Sequence, residues 1–213
     1  MIDKKNLATL LAEFLGTAVL TLVVLSVKNS AIGIPYFVAI AAGLTVGVAY
    51  VAAGDVTKIQ MNPAVTLALW TVRKVKTIEG VLRIVFQLLG AFVALKVFGY
   101  FINTAVQNVA GHYSARVMIA EAVGGLIFTL AIGAAMYKKL DGINLGLVVG
   151  GAFALAIVVA ASASNGLINP ALALGVKSWS WGTYVLGPVV GAVVGANLYM
   201  VLFTDSAHSK SKK

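Results

Sequence analysis

Six apolar stretches, each near the length that crosses a bilayer, constrain this chain more than any other feature. They cover about 7–27, 36–53, 84–101, 117–136, 144–163 and 183–203. A spanning helix needs roughly 20 mostly apolar residues. The second, fifth and sixth stretches carry no charge, and the others carry one each: Glu13, Lys96 and Glu121. Composition agrees, with 60% hydrophobic and 11% charged residues. Soluble domains run at about 45–50% and roughly 25%, so a soluble chain of this make-up could not cover its surface. The reading is an integral, all-α membrane protein. The first stretch is too long and too poorly cleavable to be a removable signal peptide. With no cysteine, disulfide scaffolds, thiolate metal sites and cysteine nucleophiles are excluded.

Two shorter apolar pieces remain, 63–72 and 170–176. At about 1.5 Å per residue neither crosses a core of about 30 Å, so each reads as a re-entrant half-helix. Irregular backbone leading into such a piece is tolerated only inside protein or along a wet cavity. An internal repeat ties the pieces together. Ala12, Glu13, Gly16, Thr21 and Leu22 recur 108 residues later as Ala120, Glu121, Gly124, Thr129 and Leu130. Met61-Asn62-Pro63-Ala64 recurs as Ile168-Asn169-Pro170-Ala171, displaced by 107. Each half thus runs span, span, half-helix, span, about 7–107 and 115–203. Three spans per half force the second copy to enter from the opposite face. Inverted repeats with paired interrupted segments point to a solute path between the halves near the midplane. Residues 1–205 form one channel domain in this reading.

Lys and Arg set the orientation. The side holding both termini carries Lys4, Lys5, Lys58, Arg73, Lys74, Lys76, Arg83, Lys138, Lys139, Lys210, Lys212 and Lys213. The other carries Lys28, Lys96, Arg116 and Lys177. Twelve against four places both termini in the cytoplasm, with residues 206–213 as a basic cytoplasmic tail. The net charge of +9 forms no basic stripe with interleaved aromatics, so nucleic acid is not the partner. Lys58, near Asp55, reads as a solvated loop charge rather than a gate.

The Asn-Pro pairs carry the chemistry. Asn is a favoured N-cap, and Pro suits the first helical position because its missing N–H would be unpaired there. Inverted half-helices can meet N-terminus to N-terminus, each end bearing roughly +0.5 of an elementary charge. Each Asn oxygen can cap its own helix while its NH2 donates toward the axis. Two such donors hold a passing oxygen, and the positive field disfavours cations.

These residues identify a resemblance. The chain is similar to the aquaporin and glycerol-facilitator family over about residues 7–203, on the doubled Asn-Pro-Ala of Asn62, Pro63, Ala64 and Asn169, Pro170, Ala171. Supporting motifs are Glu13-x-x-Gly16-Thr17, Gln87-x-x-Gly90-Ala91 and Gly187-Pro188-x-x-Gly191-Ala192. The resemblance implies six spans plus two half-helices, a pore in each protomer, a homotetramer, and passage of water and small neutral solutes without cofactor. It also implies that Glu13 and Glu121 accept hydrogen bonds from backbone N–H groups of the re-entrant loops. A proton relay would want titratable partners along the path, yet no charged residue lies between Asp141 and Lys177.

The outer constriction departs from the family. An arginine usually follows the second Asn-Pro-Ala, and Leu172 stands here; the other matching positions are Ala42, Ile157 and Gly166. The expectation is a wide, apolar opening with weak solute discrimination. Before the first motif, Thr57-Lys58-Ile59-Gln60 replaces the family's Ser-Gly-x-His. The glycines Gly16, Gly43, Gly90, Gly124, Gly191 and Gly195 read as close helix contacts. Trp70, Trp179, Trp181 and Tyr184 read as interfacial anchors, and His112 and His208 are too isolated for a metal site. A membrane enzyme lacks its residue constellation. The competing reading is a non-conducting or gated structural protein on the same fold.

Overall fold

The protein, a computed structural model, is described over residues 4–30, 34–53, 58–109 and 111–203. Asp55, Thr57, His208 and the basic tail at 206–213 lie outside them. Among the described residues six helices are long and apolar enough to cross a membrane. They are α1 (Lys4–Asn29), α2 (Pro35–Ala53), α4 (Thr77–Phe101), α5 (Ala115–Tyr137), α6 (Gly142–Ala160) and α8 (Trp181–Phe203). Two short helices, α3 (Pro63–Thr71) and α7 (Pro170–Gly175), sit at corresponding places in the two halves. Within each half the first span packs on the last, α1 on α4 and α5 on α8, while α2 and α6 join the halves.

Small residues make these crossings possible. With lipid on the outside, helices associate through close packing and not through a water-driven collapse. Where α2 meets α6, a Cβ added to Gly150 would lie 2.5 Å from the Gly43 carbonyl oxygen. Gly125 faces Pro188 in the same way, and Gly191 rests directly on the backbone of Ala122. Outward faces stay apolar, as Leu44, Val48, Leu147 and Leu155 illustrate, each more than 60% exposed.

Three boundaries differ from the sequence expectation by three residues or more, and α1 begins at Lys4 instead of near 7. Helix α4 begins at Thr77 instead of near 84, because Glu79 and Arg83, whose charges end the apolar window, are absorbed by partners inside the protein. Helix α6 stops at Ala160 instead of near 163, where the chain turns and Ser164 becomes a donor in the following loop. The half-helices end alike. Arg73 and Lys177 take positive φ, 59° and 54°, and the N–H of the next residue returns to a carbonyl of the last turn. Each of these cations lies just past the C-cap of its half-helix, Val72 and Val176.

Candidate functional site

Asn62 and Asn169 build the centre from backbone rules alone. Each takes an extended conformation and caps its own helix. The Asn62 side-chain oxygen accepts from Ala64 N–H at 2.9 Å; that of Asn169 accepts from Ala171 at 3.0 Å and Leu172 at 3.3 Å. Pro63 and Pro170 follow as the first helical residues. Each amide nitrogen then crosses to the other half. Asn62 Nδ2 donates to the Ile168 carbonyl at 3.0 Å, and Asn169 Nδ2 donates to the Met61 carbonyl at 2.8 Å. The two N-termini therefore abut. Since an amide carries two N–H donors, one on each Asn is not committed to these crossings.

The carbonyls that accept these bonds point inward because Met61 and Ile168 adopt left-handed backbone, φ 54° and 43°. Such a conformation is costly for a side chain with a Cβ, above all a β-branched one, at about 1–3 kcal/mol. It persists only when the surroundings over-determine it, and two buried carboxylates do so. Glu13 accepts from the N–H groups of Gln60 at 3.0 Å and Met61 at 2.6 Å. Glu121 accepts from those of Leu167 at 3.0 Å and Ile168 at 2.5 Å. Neither glutamate is exposed at all.

The remaining acceptor capacity is met differently in the two halves. Glu121 takes the Ser164 hydroxyl at 2.7 Å. Glu13 takes Gln87 Nε2 at 2.8 Å and Arg83 Nη1 at 2.6 Å. Arg83, counted by the sequence among the cations of the side holding the termini, is 4% exposed and ion-paired. The signal that finds it is Glu79-x-x-x-Arg83-x-x-x-Gln87, three polar residues on one helix face. Tyr184 also departs from expectation. It is 7% exposed, not an interfacial anchor, and its hydroxyl accepts from Asn165 N–H at 3.3 Å. The π-helical turn Trp181–Leu186 that opens α8 carries it there.

A cavity of about 710 Å³ opens at the end where α1 begins, with Tyr50, Lys58, Gln60, Arg83, Ile132 and Val149 among its walls. The positions expected to line a wide outer opening carry almost no exposed surface. Ala42 is 0% exposed and Ile157 and Leu172 are 1% each, within one apolar cluster. Gly166 takes φ +61°, and a Cβ there would fall 3.1 Å from the Ile157 side chain.

Known proteins place this arrangement. The model of the major intrinsic protein family matches residues 2–199. Aquaporin AqpM of Methanothermobacter marburgensis is 30% identical over 79% of this chain and 77% of its own. Glycerol uptake facilitator protein-like 6 of Lactiplantibacillus plantarum is 28% identical over 87% of this chain and 94% of its own. The X-ray structure of the aquaglyceroporin from Plasmodium falciparum shares the fold, with a TM-score of 0.77, 19% identity, and coverage of 95% of this chain and 99% of that one. The chain belongs to the major intrinsic protein family, whose members are passive membrane channels and not enzymes.

Proposed function

We propose that this chain is a passive pore for water and small neutral solutes such as glycerol, one pore per protomer. The observation that carries the reading is the reciprocal pair at the centre, Asn62 to Ile168 and Asn169 to Met61. It joins two helix N-termini, so the uncommitted amide N–H groups and both positive helix ends face one passage. A neutral oxygen-bearing solute is held there, while a cation meets positive potential without its hydration shell. Asn62, Pro63, Ala64, Asn169, Pro170 and Ala171 form the midplane, and Glu13 and Glu121 hold its loops. Ala42, Ile157, Gly166 and Leu172 form the outer constriction. Their burial supports a passage that opens by rotation of the Leu172 and Ile157 side chains as solute enters.

The Lys and Arg excess supports cytoplasmic termini, and the resemblance supports a homotetramer. Stopped-flow swelling of proteoliposomes in water, glycerol, urea and ammonia gradients tests the function. Water flux above that of empty liposomes, with no ionic current, is the expected result. Flux equal to empty liposomes for all four solutes would overturn the reading. Cross-linking in detergent that stops at a dimer would overturn the tetramer.

A further inference from the structure

The two halves repeat in backbone but not in how their carboxylates are balanced. Glu121 takes the Ser164 hydroxyl and the backbone N–H groups of Leu167 and Ile168, all neutral. Glu13 has a guanidinium. Arg83 uses its donors in three directions. Nη1 reaches Glu13 Oε1 at 2.6 Å and the Lys58 carbonyl at 2.8 Å, while Nε and Nη2 grip Glu79 Oε1 at 2.9 and 2.7 Å. The Glu79 side chain is 39% exposed, that of Arg83 5% and that of Glu13 0%. A charge chain therefore runs from the mouth of the cavity to the loop that delivers Asn62.

We propose that Arg83 is a positioning residue for the pore centre: it clamps the first re-entrant loop through Glu13 and the Lys58 carbonyl, a device that the second loop lacks. Lys58 and Met61 are three residues apart, and their backbone is fixed at one end by the Arg83 bond and at the other by Glu13. The Met61 carbonyl in turn accepts from the Asn169 side chain, so the clamp also orients that amide, while the backbone of the second loop is held separately by Glu121. Planar geometry is essential. An ammonium is a point charge on a flexible stem and cannot present a rigid fork to three partners. Arg83→Lys keeps the charge and should lose the placement.

The inference rests on the proposed pore, and its test separates the two. Hydrogen exchange of reconstituted protein is followed in two peptides, one covering Lys58–Ala64 and the other Gly166–Ala171, alongside water flux and cation leak. In Arg83→Lys the first peptide should exchange at least ten-fold faster while the second is unchanged, with water flux reduced or cation leak raised. Equal acceleration in both peptides, or none in either, would overturn the clamp. Should Arg83→Lys fail to fold, Arg83→Gln, which leaves Glu13 and its loop bonds in place but cannot span three partners, is used instead, and the same asymmetry is expected of it. If the parent passes no water, the pore reading fails, yet the exchange asymmetry still decides the role of Arg83.

Discussion

Glu121→Gln isolates one oxygen atom. In the parent, Oε1 accepts from Ser164 and Leu167 while Oε2 accepts from Ile168 alone. Glutamine keeps one acceptor and puts an NH2 in place of the other. With its oxygen toward Ser164 and Leu167, two bonds survive, and the buried Ile168 N–H then faces another donor. A buried donor left unsatisfied costs about 1–3 kcal/mol. Ile168 also holds left-handed backbone at φ 43°, so loss of its anchor releases strain and favours local opening. The free energy of opening this loop should fall by about 1–3 kcal/mol, which is roughly 5- to 150-fold in the exchange rate of its amides. Hydrogen exchange over Gly166–Ala171 reads this directly, with Lys58–Ala64 as the internal reference. Since the Ile168 carbonyl accepts from Asn62, water flux should fall as well. Unchanged exchange at Ile168 together with parental flux would refute the account of the carboxylate as the anchor of the loop.

Asn62→Asp and Asn169→Asp each set a carboxylate between two positive helix ends; ionic current in a planar bilayer should rise, or the protein should fail to assemble. Leu172→Ala removes most of an apolar side chain that is 1% exposed, and glycerol flux should rise relative to water in the swelling assay. Leu172→Arg adds five donors and a fixed charge, and the glycerol-to-water ratio should fall. Gly150→Val drives bulk into the Gly43 carbonyl; midpoint temperature in detergent should drop sharply, whereas the same change at Gly151, which faces open space, should leave it near the parent.

The spans were legible because each is an apolar run near bilayer length, and the half-helices because Asn-Pro opens both at almost one repeat interval. Glu13 and Glu121 stood out as lone charges in apolar surroundings, which need internal partners to persist. Arg83 did not stand out. At the edge of a hydrophobic window it looks like any other cation near the membrane surface, and only the fold brings it against Glu13. Side-chain volume at the constriction was equally hidden. The identities of Ala42, Ile157, Gly166 and Leu172 say what is absent, but the space between them depends on how closely α2 and α6 approach through Gly43 and Gly150. Tyr184 was misread for a similar reason, since a π-helical turn shifts the face that each residue presents.

The crossed bonds of Asn62 and Asn169 have a bearing on how the protein comes into being. A ribosome makes Met61 and Asn62 more than a hundred residues before it makes Ile168 and Asn169. Throughout that interval the first half sits in or beside the insertion machinery with a carbonyl and an amide aimed at partners that do not yet exist. In hydrocarbon such groups are expensive to leave bare, so the first re-entrant loop cannot settle on its own; it stays at the aqueous edge or near water until the second arrives. The channel is thus completed last at its middle, in a single closing event that neither half can rehearse alone.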